Sequence, residues 1–218
     1  MYGISGIKEQ GKLEQLPIFN KKTAAILIGK TGNNLDKKIE RLLKEGYFVN
    51  LKKGWYVSKP FLDKQSSLKS FTEYLANKLR TPSYLSLEYV LSKYNLIPEE
   101  INIWTSVTTK STRSYENDLG VFSYKSIKDK LFIGYKETEV EGNQIYIANK
   151  TKALFDFLYL KRNLGENLVY ELNEGLRFNW NVFSGKDLQE FSKYVQISNM
   201  DKMKQILKEI IKIKNAAG

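Results

Sequence analysis

The sequence predicts an α+β protein of two domains, and its charge, periodicity and composition support that fold class. Residues 1–60 contain 12 lysines and arginines against 5 acidic residues, a net charge of +7, whereas the remaining 158 residues carry only +4. Segments with helical periodicity alternate with short runs rich in β-branched and aromatic residues. The apolar fraction of 42% is close to the roughly 45–50% of globular domains, so the chain can bury a core.

Two short helices are predicted in the basic first domain, in addition to one over residues 4–16. Residues 21–27 form the first of the pair, and residues 29–33 are rich in glycine and other turn formers. The next helix is capped by Asn33 or Asn34 and ends at Gly46. Its apolar residues recur at helical spacing and share one face: Leu35, Ile39, Leu42 and Leu43. Two short helices joined by a glycine-containing turn form a helix-turn-helix.

A β-hairpin is predicted directly after this helix pair. Residues 47–51 and 55–57 are β-rich, and Lys52, Lys53 and Gly54 separate them as a basic turn. A short basic hairpin in this position is the wing of a winged helix-turn-helix, and the order of the motifs is more specific than either part alone. We therefore predict a winged helix-turn-helix DNA-binding domain over residues 1–61.

The face of the second helix opposite its apolar stripe is predicted to bind double-stranded DNA. At about 100° per residue, every charged residue on that face is positive, and Asp36 and Glu40 lie on a flank. Arg41 is assigned to guanine, because a guanidinium can bind O6 and N7 bidentately, and Asn34 to adenine or phosphate. A different rotation of the helix would exchange the roles of Lys37 and Arg41. The predicted DNA-binding residues are Lys30, Thr31, Asn33, Asn34, Lys37, Arg41, Lys44, Lys52 and Lys53.

Residues 62–218 are predicted to form the larger α+β domain, after a linker at residues 58–70 where periodicity is lost. A helix over residues 86–94 precedes β-rich segments, which are separated by turn formers at 117–120 and 141–143. The β-rich segments predict a small, mostly antiparallel sheet and comprise residues 102–109, 113–115, 120–124, 131–136 and 144–148.

Helices are predicted to close the chain. The first covers residues 152–163, the second begins at Ser184 or Gly185, and the last is capped by Ser198. Their apolar stripes predict faces that pack on a core or on a protein partner.

The chain has no histidine and no cysteine, which excludes several kinds of chemistry. Ser-His-Asp and Cys-His catalysis, histidine-ligated zinc and thiolate clusters all require residues that are missing, and disulfides cannot form. Glu137, Glu139 and Glu141 alternate along the chain, and a solvated hairpin edge explains them. We predict no catalytic residue, no metal and no cofactor, and hence no enzyme.

No membrane partner is expected. The first residues lack the charged region and apolar core of a signal peptide, and no apolar run approaches the roughly 18 residues of a membrane span. These features predict a cytoplasmic protein.

Several short motifs occur in a specific order and spacing over roughly residues 15–165. They are Lys53-Gly54-Trp55-Tyr56-Val57, Tyr84-Leu85-Ser86-Leu87-Glu88 with Leu96-Ile97-Pro98, Ser106-Val107-Thr108-Thr109-Lys110, Gly120-Val121-Phe122-Ser123-Tyr124, and Lys152-Ala153-Leu154-Phe155-Asp156-Phe157-Leu158-Tyr159. In this combination the chain resembles an AbiEi-type antitoxin. The last motif of that family usually begins Glu-Lys-Ala, whereas Thr151 precedes Lys152 here.

The resemblance implies a bacterial transcriptional regulator with an N-terminal winged helix and a larger C-terminal antitoxin domain. It further implies repression of the protein's own operon, a nucleotidyltransferase-like toxin as partner, and a role in phage defence by abortive infection. The family supplies no catalytic residue to carry over.

Three other functions stay open at this point. A nuclease or other nucleic-acid enzyme could be delivered to DNA by the winged helix. A generic winged-helix regulator without a toxin partner would use the same DNA-binding residues. A winged helix that only docks proteins would show no salt-dependent DNA affinity.

Overall fold

A computed structural model describes residues 11–164 and 167–216 and shows an α+β protein. The chain forms two compact units. Among the described residues, the first comprises those up to Thr72 together with Tyr115–Gly120, and the second comprises Glu73–Ser114 and those from Val121 onward.

The first unit contains a helix pair followed by a hairpin. Its described elements are β1 (Phe19–Asn20), α1 (Lys21–Ile28), α2 (Gly32–Lys44), β2 (Phe48–Lys52), β3 (Trp55–Ser58) and α3 (Lys59–Asp63). The three strands pair antiparallel in the order β1-β3-β2. Of the predicted first helix, residues 11–13 are helical, residues 14–16 are not, and residues 4–10 lie outside the described residues.

The core of this unit joins both helices to the small sheet. Phe19 and Phe48 meet edge to face with ring centroids 5.0 Å apart, a favourable geometry for aromatic pairs. The buried cluster consists of Leu13, Phe19, Ala24, Leu35, Ile39, Leu42, Phe48 and Tyr56.

The stretch predicted as a linker, residues 58–70, is largely helical. Ser58 caps α3, because its Oγ accepts a hydrogen bond from the Phe61 backbone N–H at 3.2 Å. Ser67 Oγ accepts from the Ser70 backbone N–H in the same way, also at 3.2 Å, near the start of the next helix. Ser58, Pro60 and Ser67 therefore mark helix starts in this stretch, and the prediction of a linker is wrong.

The remaining helices and strands follow in chain order. The longer helices are α4 (Leu68–Leu79), α5 (Leu87–Lys93), α6 (Lys150–Leu160), α7 (Gly185–Ser198) and α8 (Asp201–Ala216). Short helical segments lie at Asp129–Leu131, Leu168–Tyr170, Glu171–Gly175 and Trp180–Val182. The strands are β4 (Ser83–Leu85), β5 (Ile103–Thr108), β6 (Arg113–Asn117), β7 (Gly120–Ser126), β8 (Tyr135–Val140) and β9 (Asn143–Ala148).

The main sheet has six strands in the order β6-β7-β5-β4-β9-β8, so the prediction of a small sheet is wrong. It is also mixed, because β4 with β5 and β8 with β9 pair antiparallel, whereas β5 with β7 and β4 with β9 pair parallel. The short strand β4 is buried at all three positions and lacks the alternation that marks a strand in the sequence. Its pairing with β9 joins residues far apart in the chain, which no local pattern reveals.

Helices close the chain as predicted. The second predicted helix begins at Gly185, where Ser184 and Asp187 form a reciprocal capping box. Ser198 does not cap the last helix: it is the final residue of α7, and α8 begins at Asp201. The alternating glutamates were predicted to lie on a solvated hairpin edge, and two of them do. Glu137 and Glu139 are exposed on the edge strand β8.

Candidate nucleic-acid interface

The turn between α1 and α2 is fixed by a glycine. Gly29 adopts a φ of 68°, in the left-handed region that favours glycine, and its N–H donates to the Ala25 carbonyl at 3.0 Å. Thr31 is the N-cap of α2 and its side chain makes no capping bond, so Asn33 and Asn34 are not the caps that the sequence suggested. Both asparagines lie in the first turn of α2 with exposed side chains.

A Schellman motif ends α2 and directs the chain into the hairpin. The Tyr47 N–H donates to the Leu42 carbonyl at 2.9 Å, and the Gly46 N–H donates to the Leu43 carbonyl at 3.1 Å. Gly46 adopts a φ of 68°, as this motif requires. The strand β2 therefore starts within a few residues of the helix end.

One face of α2 packs on the core, and this orientation determines what the other face presents. Leu35 and Ile39 are 3% and 4% exposed. Lys37, Arg41 and Lys44 follow each other at intervals of four and three residues, so they share the opposite, solvent-facing side of the helix. Burial of the apolar stripe thus places three cations on one outward surface.

The structure places every predicted DNA-binding residue at the surface of the first unit. Lys52 is half-buried, and the other eight side chains belong to exposed residues: Lys30, Thr31, Asn33, Asn34, Lys37, Arg41, Lys44 and Lys53.

Two of the outward cations form ion pairs along the helix. Arg41 Nε lies 3.4 Å from a Glu45 carboxylate oxygen, and Lys44 Nζ lies 3.1 Å from a Glu40 carboxylate oxygen. All four side chains are more than half exposed. Exposed pairs of this type contribute only about 0.2–1 kcal/mol, so a phosphate or a base can replace the carboxylate as partner.

Replacing Glu45 by glutamine is expected to increase the affinity for duplex DNA by about 2–5-fold, because it frees Arg41 and removes a negative charge beside it. Asp63→Asn is the matched control: Asp63 also pairs at i,i+4 in the same unit, with Lys59 at 2.7 Å, but it lies on α3. Fluorescence anisotropy with a labelled duplex measures both variants. An equal gain in DNA affinity from the two variants would show that the gain comes from net charge and not from the release of Arg41.

The hairpin presents its two lysines differently. Lys52 Nζ lies 4.9 Å from the ring centroid of Trp55 and 5.4 Å from that of Tyr115, within cation–π range. Gly54, with a φ of 73°, completes the turn, and Lys53 projects as an exposed residue. The Asn117 side-chain amide donates to the Leu51 carbonyl at 2.9 Å, which anchors the strand just before the tip.

Lys38, which no pattern in the sequence singles out, lies at the edge of the cationic face. Partial burial is the largest cause that lowers the pKa of its ammonium group, and the positive charges of Arg41 and Lys30 lower it further. Lys38 is therefore close enough to Arg41 and Lys30 to be repelled by both of them. An anion bound at this face would relieve that repulsion.

Within the described ranges, no group of three or more carboxylates could hold a metal ion. Among the same residues, no helix combines the length and the apolar character needed to cross a membrane.

Comparison of the sequence with protein-family models finds no matching family, and comparison with curated proteins finds no match either.

Proposed function

We propose that the first unit is a winged helix-turn-helix that binds double-stranded DNA and that the protein is a transcriptional regulator. The helix α2 would lie in the major groove, and the hairpin of β2 and β3 would act as the wing. The observation that carries the proposal is the outward cationic face of α2, at Lys37, Arg41 and Lys44, followed directly by a hairpin with lysines at its tip.

The side chains of this face suit different parts of the duplex. We infer that Arg41 reads a guanine and that Asn34 contacts adenine or a phosphate. The lysines neutralise phosphates, because an ammonium is a point charge without the planar geometry that distinguishes bases. Lys30 and Thr31, in the turn before α2, contact the backbone as well.

The wing is expected to contribute affinity but little sequence preference. Lys53→Gln and Lys52→Gln should each weaken binding to every duplex and flatten the slope of log affinity against log salt by about 0.9, the value for one lost phosphate contact. Anisotropy titrations at several salt concentrations measure the slope. Lys59→Gln, an exposed lysine of the same unit on α3, is the control and should leave the slope unchanged. An unaltered slope in both hairpin variants would remove the wing from the interface.

We further propose that the protein represses its own operon and acts as the antitoxin of an abortive-infection pair, with a nucleotidyltransferase-like toxin as partner. The resemblance of the motifs over roughly residues 15–165 to AbiEi-type antitoxins supports this role. The mode of action is binding, not catalysis, which agrees with the absence of histidine and cysteine from the sequence.

The antitoxin role is tested by measuring growth of cells that express the neighbouring gene with and without this protein. A reading frame for a nucleotidyltransferase-like protein beside this one should arrest growth when expressed alone, and co-expression of this protein should restore growth. A reporter driven by the upstream DNA should be repressed by this chain. Repression without rescue would leave a regulator that has no antitoxin function.

A further inference from the structure

The second unit contains a cavity of about 300 Å³ that the DNA-binding proposal does not use. The end of α4, the start of β4 and the strands β8 and β9 contribute to its walls. Its lining includes the polar residues Asn77, Lys78 and Ser83 and the aromatic residues Phe132, Tyr135 and Tyr146.

Aromatic rings form one wall of the cavity. The ring of Tyr135 lies 5.1 Å from that of Phe132 and 6.0 Å from that of Tyr146, which it meets nearly at a right angle, at 87°. On another side Tyr135 stacks on Tyr84 with centroids 4.5 Å apart. The contact with Tyr84, which is fully buried, holds this wall in place. Such a wall suits a flat, conjugated ring.

Two buried polar groups of lining residues have no hydrogen-bond partner. Asn77 is 5% exposed and its Oδ1 accepts the backbone N–H of Tyr146, an arrangement that leaves Nδ2 as the free end of the amide. Among the described residues Nδ2 has no acceptor, and Ser83 Oγ, on a residue 6% exposed, has no partner either. Leaving such groups unpaired is costly, so native proteins rarely do so without a ligand or water to supply the bond.

The charge at the cavity favours an anion. Among the described lining residues Lys78 is cationic and none is acidic. Lys78 is exposed, and its Nζ lies 5.2 Å from the ring centroid of Tyr74. A ligand here would therefore combine a flat ring, a ring-edge acceptor and a negative group.

We propose that this cavity binds a nucleoside monophosphate. The base lies against Phe132, Tyr135 and Tyr146, a ring carbonyl or ring nitrogen accepts from Asn77 Nδ2, and Ser83 Oγ bonds to a neighbouring ring-edge group. The phosphate extends towards Lys78. The cavity volume is at the lower end of the roughly 300–1,000 Å³ of ligand pockets, which fits one base with its phosphate outside.

The test is an NMR titration of the ¹⁵N-labelled full chain with UMP and AMP. At least one nucleotide should shift the side-chain amide resonances of Asn77 in a saturable manner. Ser83→Ala removes a hydroxyl without a partner, so it should not lower the melting temperature, yet it should weaken nucleotide binding by about 2–10-fold. Ser106→Ala is the matched control, because Ser106 Oγ is also buried without a partner but Ser106 does not line this cavity.

A charge variant tests the position of the phosphate. Lys78→Gln should weaken the binding of UMP or AMP and leave the binding of the corresponding uncharged nucleoside unchanged. Three results would overturn the proposal: no shift of the Asn77 amide with either nucleotide, equal weakening by Ser106→Ala and Ser83→Ala, or equal effects of Lys78→Gln on nucleotide and nucleoside.

Discussion

Replacing Asp156 by asparagine is expected to lower the free energy of unfolding by about 3–5 kcal/mol, the cost of breaking a buried ion pair by removing one partner. Asp156 and Lys152 are both fully buried and form an ion pair one helical turn apart on α6. The Asp156 carboxylate also accepts hydrogen bonds from Tyr84 Oη at 2.9 Å and from Ser86 Oγ at 2.8 Å. Asparagine keeps the shape but leaves the Lys152 ammonium without a counterion.

The surroundings of the pair explain why the loss is large. Lys152 is fully buried, so water does not reach its ammonium group to replace the carboxylate. Its Nζ lies 5.2 to 5.6 Å from the ring centroids of Phe155, Tyr84 and Tyr194. Burial raises the pKa of the Asp156 carboxyl, and the charge of Lys152 opposes that rise. The pair is therefore stable only when both members are present.

Urea denaturation of the two single variants and the double variant tests this account. Lys152→Met should also destabilise the protein, because it leaves Asp156 buried without a counterion. The double variant Lys152→Met, Asp156→Asn should lose less than the sum of the two single losses, with a coupling of about 0.5–3 kcal/mol. Strictly additive losses, or a loss below about 1 kcal/mol for Asp156→Asn, would contradict a charged pair.

Replacing Arg41 by alanine is expected to weaken binding to the upstream DNA of the protein's own operon by about 1–3 kcal/mol, a loss of roughly 5–150-fold. The proposed bidentate contact to guanine would account for this magnitude, and the ion pair with Glu45 is too exposed to offset it. Discrimination at one base position should relax at the same time. Competition with duplexes altered at single positions measures the discrimination.

Two controls separate base reading from charge and from folding. Arg41→Lys keeps the charge but loses the planar fork, so it should recover affinity for random DNA while the preference at that position stays lost. Lys59→Ala removes another ion-paired, exposed cation of the same unit and should leave the preference intact. If Arg41→Ala loses the same affinity for the upstream DNA and for random DNA, Arg41 contacts a phosphate and not a base.

Local patterns in the sequence predicted the helix pair and the hairpin because each is determined by neighbouring residues. The spacing of Leu35, Ile39 and Leu42 places the buried face of α2, and Gly46 supplies the left-handed residue that ends it. The outward positions then follow from helix geometry alone. The predicted DNA-binding residues are accordingly found at the surface of this unit.

Features that depend on distant partners could not be predicted. The strand β4 is too short and too buried to show alternation, and its parallel partner β9 lies about sixty residues later in the chain. The bond between Asn77 and Tyr146 likewise depends on contact between α4 and β9. Repulsion around Lys38 became visible only with the positions of Arg41 and Lys30. Each of these features arises from packing between elements.

DNA binding through α2 and the hairpin is tested most directly by a salt titration of the full chain on a duplex from upstream of its own reading frame. If Lys30, Lys37, Lys44, Lys52 and Lys53 each neutralise one phosphate, log affinity should fall linearly against log salt with a slope of about −4.5. The double variant Lys52→Gln, Lys53→Gln should reduce the magnitude of that slope by about two. No binding at low salt, or a slope near zero, would contradict a DNA-binding first unit.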